Sequence, residues 1–272
     1  MADILKIKTY EESIDQLLNT TGSIFKTFDK QDSNCISYGI KINKEKYLLK
    51  FTSDLKTIQR LKHTIQLHKI LKSEILIPII NDFKTLDGFT LVYPWVEGEN
   101  LNDYSVFNSN ERETNPNSPL YKFRQLSINE RIRCLDKIFR FFIKMEKTGI
   151  IAVDFYDGCI LYNFQTSEVR IFDIDEFEMS EFILDTDRLP GSSRYMAPEE
   201  FEKGAKIDHL TNVFLLGQFL HHLILKSTQR NIIISKLREL ANKATQNNRE
   251  QRYWSISGFY NEWQEITQNF QQ

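Results

Sequence analysis

The chain has 272 residues, a hydrophobic fraction of 41% and a formal net charge of −2. Its 20 phenylalanines can fill a large core, which excludes an intrinsically disordered chain. The near-neutral charge argues against nucleic acid and anionic membranes as partners, because both attract proteins with a basic excess.

The cysteines and the apolar runs bear on the location of the protein. Cys35, Cys134 and Cys159 lie far apart, so they suggest neither a disulfide framework nor a zinc site. The N-terminus has no apolar stretch of signal-peptide length. The longest apolar run, 212–225, falls short of the roughly 20 residues that a membrane span needs. We therefore expect a cytoplasmic protein without a membrane partner.

The first hundred residues alternate between strand and helix patterns. The pattern of apolar and charged residues indicates a short amphipathic helix within 1–20. Residues 35–51 predict two strands around the turn "NKEK", and 54–72 carry apolar residues at helical spacing, with Ser53 as a possible N-cap. Two apolar runs, 75–80 and 89–96, predict two more strands. The expected order is strand, strand, helix, strand, strand.

The remainder of the chain has a different composition. The stretch 107–120 is poor in apolar residues and predicts an exposed loop. Residues from 127 onward are mostly helical in pattern, except for 150–177, where short apolar runs surround acidic turns. This shift from strands to helices predicts two domains, 1–98 and 99–272.

Aspartates concentrate at the ends of two short apolar runs. Asp154 ends "IIAVD" and Asp173 ends "VRIFD", with Asp157 and Asp175 close by. Carboxylates that converge repel one another unless a cation or a proton shares the site, and Mg²⁺ favours such oxygen ligands. Each aspartate alone is also explained by ordinary turn chemistry. Their joint placement favours a magnesium site that brings phosphates with it.

Several segments together resemble the protein kinase superfamily, as a divergent bacterial-type serine/threonine protein kinase-like chain. They match in order and spacing its catalytic loop, its metal-binding turn, its A-P-E segment and the helix that follows. Further stretches are similar to the strand with the phosphate-binding lysine, to the hinge between lobes, and to the late segment whose arginine pairs with the A-P-E glutamate. These segments are "VDFYDGCIL" (153–161), "IFDID" (171–175), "GSSRYMAPEE" (191–200), "NVFLLG" (212–217), "KYLLKF" (46–51), "LVYPWVEGENL" (91–101) and "QNNREQRYWSISGF" (246–259).

The resemblance covers roughly residues 20–265 and implies a fold and an activity. The fold would be α+β and bilobal, with a small antiparallel β-sheet and one helix in the N-lobe and a mainly α-helical C-lobe. The activity would be transfer of the γ-phosphate of ATP, with Mg²⁺ as cofactor, to a serine or threonine hydroxyl of a protein partner.

The resemblance also assigns roles to individual residues. Asp154 aligns with the aspartate that takes the proton of the acceptor hydroxyl, and Ser192 with a hydroxyl that bonds this aspartate. Lys50 aligns with the lysine that holds the α- and β-phosphates. Val92 and Tyr93 fall in the hinge and would contact the nucleotide.

A second group of residues would bind the metal or hold the fold. Asp173 aligns with the metal-binding aspartate. The asparagine expected to bind a second metal is Cys159, a soft ligand poorly suited to Mg²⁺. Asp157 or Asp175 would supply the missing carboxylate, and we expect Asp175 because it lies beside Asp173. Glu199 and Arg252 would form a buried structural ion pair.

Departures from the family pattern leave two other functions open. The histidine and arginine that precede the catalytic aspartate are Ala152 and Val153, so control by a phosphate on the activation segment is not expected. The glutamate that would pair with Lys50 falls at about Thr64, and no glycine-rich loop is present. The chain could therefore be a pseudokinase scaffold that binds nucleotide or a protein partner without catalysis. A small-molecule kinase of the same fold is a third hypothesis, although such enzymes do not use an A-P-E segment.

Overall fold

The computed structural model describes residues 3–29, 33–226 and 232–268. These residues form an α+β protein that divides into two compact units, 1–97 and 98–272. The division falls one residue before the boundary that composition predicts. Within the described residues, every helix is too short or too polar to cross a membrane.

The first unit is built on a five-stranded antiparallel sheet with strand order β1-β2-β3-β5-β4. Two helices accompany the sheet. The sequence predicts α2 from the helical spacing in 54–72, and it indicates α1 only as a short helix somewhere within 1–20. The elements are α1 (Ile14–Thr21), β1 (Ser23–Phe28), β2 (Ile36–Ile42), β3 (Glu45–Thr52), α2 (Leu55–Ile70), β4 (Asn81–Lys84) and β5 (Phe89–Pro94).

Alternation along β3 sends successive side chains to opposite faces of this sheet. One face, with Leu49 and Phe51, packs against α1 and the segment before it. Residues of α2 pack with Leu91 of β5 in a separate cluster. Asp54, rather than the predicted Ser53, caps α2 by accepting a hydrogen bond from Thr57 N at 2.8 Å.

Two strand predictions for this unit need correction. The run 75–80 is not a strand, although Ile75 and Leu76 are buried; Pro78 in its middle has no N–H to donate to a ladder. The strand follows it instead, as β4. Ser23–Phe28 is a strand that the pattern did not predict, because five of its six residues are exposed and so give no alternation.

The second unit is mainly helical, with small sheets at its loops. Its elements are β6 (Glu99–Asn100), α3 (Glu111–Thr114), α4 (Pro119–Gln125), α5 (Ile128–Thr148), β7 (Ile160–Asn163), β8 (Glu168–Ile171), β9 (Phe182–Ile183), β10 (Lys206–Ile207), α6 (His209–Leu220), α7 (Ile232–Ala244) and α8 (Ile256–Gln268), with a π-helix at His221–Leu225 and 3₁₀ helices at Asp157–Cys159, Pro198–Phe201 and Arg249–Gln251. The predicted loop 107–120 contains α3 and the first residues of α4. It is not wholly exposed, because Ser118 is fully buried and donates to the carbonyl of Arg112 at 2.7 Å.

Helix α5 is the centre of this unit. It begins at a capping box formed by Ser127 and Glu130, and it ends at Gly149, whose φ of 75° suits glycine. Phe139 packs against α8, with its ring centre 4.9 Å from that of Trp263. Glu146 accepts hydrogen bonds from the first backbone amides of α8, those of Ile256 and Ser257. These contacts hold α5 and α8 together.

Candidate active site

Asp154 lies on a loop that the surrounding core holds rigidly. The run before it is not a strand; Ile151 makes only an isolated bridge with Glu178. The neighbouring Phe155 is buried, and its ring packs between Phe142 of α5 and Phe219 of α6, with centroids 5.5 and 5.4 Å away. Because the next side chain is fixed in this way, the half-buried Asp154 has a defined position.

Asp154 and Asp173 share an unusual backbone conformation. Asp154 has φ 55° and Asp173 has φ 58°, in the left-handed region that few non-glycine residues occupy. Such a conformation costs on the order of 1–3 kcal/mol and persists where the surroundings enforce it, most often at functional sites. The two aspartates singled out from the sequence are therefore also the two strained positions of these loops.

Cys159 connects the loops that carry these two aspartates. Its thiol donates to the carbonyl oxygen of Asp154 at 3.4 Å, and its own carbonyl accepts from Phe172 N at 3.1 Å. Burial, and then the charges of Asp173 and Asp154, raise the pKa of the Cys159 thiol well above its usual value. Cys159 is thus a neutral residue that links the two loops, at the position where the sequence resemblance predicts a metal ligand.

Asp175 is buried, whereas Asp173 is exposed. Both follow β8, whose register with β7 pairs Ile171 with Ile160, next to Cys159. This pairing brings the end of β8 beside the loop of Asp154. The structure therefore brings the loop that carries Asp154 next to the end of β8, which carries Asp173, although no strand precedes Asp154.

The segment 190–200 lies against Asp154. A β-carbon added to Gly191 would be 3.4 Å from Cα and 3.5 Å from Oδ1 of Asp154, and the φ of 136° at this position also favours glycine. Ser192, Glu200 and Thr211 of α6 line a small cavity together with Asp154, with a volume of about 10 Å³. That volume is about the space that one water molecule needs. Ser192 thus lines the same cavity as Asp154, and the hydrogen bond expected between them remains a prediction.

The predicted pair of Glu199 and Arg252 is present and buried. Nη1 and Nη2 of Arg252 donate to the two carboxylate oxygens of Glu199 at 2.7 and 2.9 Å, in the two-pronged geometry that arginine favours. Arg249 also donates to Glu199, at 3.0 Å. Burial acts to raise the pKa of Glu199, but the hydrogen bonds from Arg252 outweigh it and hold the pKa below its usual value. The pair fastens the end of the segment to the 3₁₀ helix before α8.

The neighbouring Glu200 is in the opposite electrostatic state. Its side chain is 5% exposed, and Oε2 accepts a hydrogen bond from Ala197 N at 2.6 Å. Burial, followed by the negative charges of Glu199 and Asp154, raises the pKa of Glu200 to about 8. Glu200 is therefore largely a neutral acid at pH 7, beside the cavity that Asp154 also lines.

Asp157 does not have the surroundings of a metal ligand. It is fully buried, and both of its carboxylate oxygens accept hydrogen bonds from Arg194, at 2.7 and 3.1 Å. An arginine in this position competes with a cation for the same oxygen lone pairs. The metal role predicted for Asp157 is therefore corrected to a structural ion pair with Arg194.

The first unit carries the residues predicted to contact the nucleotide. Lys50 is on β3 and is only 8% exposed. Thr64, at the position where the resemblance predicts a glutamate, is buried on α2 and donates to the carbonyl of Arg60 at 3.0 Å. Helix α2 contains no acidic residue. An acidic partner for Lys50 from the middle of α2 is thus excluded.

Val92 and Tyr93, both on β5, differ in how far they are buried. Val92 is fully buried between β3 and β4, and its carbonyl accepts a hydrogen bond from Ile80 N at 2.8 Å. Its side chain and this carbonyl are thus both engaged within the sheet, and its nucleotide-binding role stays a prediction. Tyr93 lies beyond the pairing with β4 and is half-buried, and its predicted role is still open.

Sequence reasoning did not single out Arg194 or Glu200 as interacting residues. Both belong to the quoted "GSSRYMAPEE", but Arg194 finds its partner 37 residues earlier in the chain. Local spacing carries no signal for such a pair. The doubled glutamate at the end of the motif was a visible hint, since two adjacent carboxylates rarely ionise together when both are buried.

Among the residues that the structure describes, no three histidine, cysteine, aspartate or glutamate side chains form a metal-binding group. Comparison of the chain with protein-family models and with curated proteins gave no match.

Proposed function

We propose that this protein is an ATP-dependent phosphotransferase with a bilobal protein kinase-like fold, which transfers the γ-phosphate to a serine or threonine hydroxyl of a protein. The observation that carries the proposal is the position of the segment 190–200. Gly191 contacts Asp154, while Glu199 at the far end is held by Arg252. A segment fixed at both ends beside a strained aspartate suits an enzyme that must align an acceptor hydroxyl.

Asp154 is the residue that we assign to the acceptor. Its carboxylate would accept a hydrogen bond from the hydroxyl and take the proton as the oxygen attacks phosphorus. Phe155 and the bond from Cys159 hold the loop, so the carboxylate needs little reorganisation before it acts. Ser192, which lines the same cavity, would restrain the carboxylate.

The residues after β8 fit one magnesium ion better than two. Mg²⁺ is commonly bound through one or two carboxylates, with phosphates and water completing its shell. Asp173 and Asp175 supply two carboxylates, whereas Asp157 is paired with Arg194 and the Cys159 thiol is neutral. When bound with ATP, the ion would neutralise charge on the phosphates. Lys50 is assigned to the α- and β-phosphates.

A thermal-shift experiment tests nucleotide binding. Millimolar Mg²⁺-ATP should raise the melting temperature, because a ligand that binds only the folded state stabilises it. Asp173→Ala should abolish the shift, and Asp185→Ala, an exposed aspartate of the same unit, should preserve it. No shift for the unmodified protein would contradict the proposal.

Transfer of radiolabelled phosphate tests the reaction itself. Generic protein substrates should be labelled by the unmodified protein and not by Asp154→Asn, which keeps the shape of the side chain but cannot accept the proton. Consumption of ATP only with a small-molecule acceptor would favour the small-molecule kinase instead.

A catalytically inactive scaffold is the second candidate. It is favoured by Cys159, which forms a structural tie instead of a metal ligand, and by Thr64, which leaves α2 without an acidic partner for Lys50. The scaffold would show a thermal shift with nucleotide, or with a protein partner, but no phosphate transfer. The two measurements together therefore distinguish the candidates.

A further inference from the structure

The ion pair between Arg194 and Asp157 joins the two segments that surround Asp154. Arg194 lies within 190–200, and Asp157 opens the 3₁₀ helix that begins three residues after Asp154. Nη2 and Nη1 of Arg194 donate to separate oxygens of Asp157 at 2.7 and 3.1 Å. Two parallel hydrogen bonds fix direction as well as distance, so this contact restrains the segment more than a single bond would.

Burial makes the pair hard to break. The Asp157 side chain is fully buried and that of Arg194 is 26% exposed. Burial acts to lower the pKa of Arg194, but the charge of Asp157 and the hydrogen bonds to it outweigh this effect and raise the pKa. Separating the partners would leave a carboxylate buried without its counter-charge, which is strongly unfavourable.

The residues around Arg194 hold its backbone as well. Nε2 of His222 lies 3.0 Å from the Arg194 carbonyl oxygen. The ring of the buried Tyr195 packs against Phe219 of α6 and against His222, with centroids 4.9 Å apart in both cases. Burial and the nearby positive charge of Arg194 lower the pKa of His222 to about 4, so this contact persists at neutral pH.

We propose that Arg194 is a positioning residue, whose ion pair with Asp157 keeps the segment 190–200 against Asp154 without phosphorylation. A phosphate that orders an activation segment does so by creating charge-assisted hydrogen bonds to arginine. Here both charges are already part of the chain and are already paired. The significance for phosphate transfer rests on the proposed function, whereas the order of the segment does not.

Hydrogen exchange of backbone amides tests the proposal directly. In the unmodified protein the amides of Leu189 and Tyr195 donate to the carbonyls of Glu200 and Ser192. Arg194→Gln should raise their exchange rates at least tenfold, while exchange in α5 stays unchanged and shows that the unit is folded. Lys203→Gln, which removes an exposed positive charge nearby, should leave the exchange rates of these two amides unchanged.

A double-mutant cycle tests whether the effect comes from the ion pair, and Arg194→Lys is the milder variant should Arg194→Gln unfold. Asp157→Asn combined with Arg194→Gln removes both charges, so no buried carboxylate is left unpaired. The double variant should exchange no faster than Arg194→Gln alone, because the two changes remove the same interaction. The proposal would be overturned if the two substitutions increased the exchange rate independently, so that the double variant showed the product of both increases. It would also be overturned if Arg194→Gln left the exchange rate unchanged. Arg194→Lys keeps the charge but not the paired geometry and should give intermediate rates.

The independence from phosphorylation has its own measurement. Phosphatase treatment, and replacement of Ser180, Thr186 and Ser193 by alanine, should leave exchange in the segment unchanged. Faster exchange after either treatment would overturn this part of the proposal. If the protein transfers phosphate, Arg194→Gln should lower kcat and leave KM for ATP unaltered. If it transfers none, the exchange results still decide whether Arg194 positions the segment.

Discussion

Because Glu200 is neutral in the folded protein, we can predict how the free energy of unfolding depends on pH. Burial raises the pKa of this carboxyl from 4.5 to about 8 in the folded protein. Between these values the unfolded chain has lost the proton and the folded chain keeps it, so the free energy of unfolding falls as the pH rises. An interval of about 3.5 pH units, at about 1.4 kcal/mol each, corresponds to about 5 kcal/mol.

Glu200→Gln removes this titration and retains a neutral side chain of similar shape. The variant and the unmodified protein should have similar stability at pH 4.5, and the variant should be more stable by about 5 kcal/mol above pH 8. Because titration of all other groups is common to both proteins, the difference between them isolates Glu200.

Urea unfolding at a series of pH values measures the difference. The chain has two units, so the signal must come from the second, where Trp263 is fully buried. Trp95→Phe in both proteins removes the tryptophan fluorescence of the first unit. Glu202→Gln, a change at an exposed neighbour, is the matched control and should give a difference that does not vary with pH. A constant difference for Glu200→Gln would refute the reasoning.

The other predictions concern the same unit. Arg252→Met should lower the free energy of unfolding by about 3–5 kcal/mol in urea titrations, since it leaves Glu199 buried without this partner, and adding Glu199→Gln should restore part of the loss. Gly191→Ala should reduce phosphate transfer more than Gly204→Ala, because both have positive φ but only the methyl at 191 meets Asp154; equal losses would argue against this contact. The three buried cysteines should resist alkylation at pH 8 in the native protein and react in urea, as mass spectrometry would show, and rapid native labelling of Cys159 would contradict its raised pKa.

Much of the architecture follows from local patterns in the sequence. The helical spacing in 54–72 and 128–149 predicts α2 and α5 because each buries one face against a core. The hairpin of β2 and β3 follows from alternation around a polar turn, where Asn43 adopts φ 56°. These elements depend on neighbours within a few residues, and the sequence displays those neighbours directly.

The parts that the sequence did not predict depend on distant contacts. The apolar run 75–80 has the composition of a strand, but it contains Pro78. The residues that pair with β5 are instead those of β4, which follow this run. Asp157 has the carboxylate of a metal ligand, yet this carboxylate accepts a hydrogen bond from Arg194, which lies 37 residues later in the chain. The Glu199–Arg252 pair spans 53 residues and was predicted only through the family resemblance. Spacing along the chain could not have revealed it.

The helix α1 has a consequence for the synthesis of this protein. Residues 3–21 leave the ribosome before the strands β2, β3 and β5, whose apolar surface they cover in the folded protein. Until these strands emerge, Leu17 and Leu18 have no partner. A shortened chain without these residues would in turn expose Ile40 and Leu49 to solvent and would tend to aggregate during expression. The N-terminal residues thus shield a surface of the sheet that would otherwise adhere to other molecules.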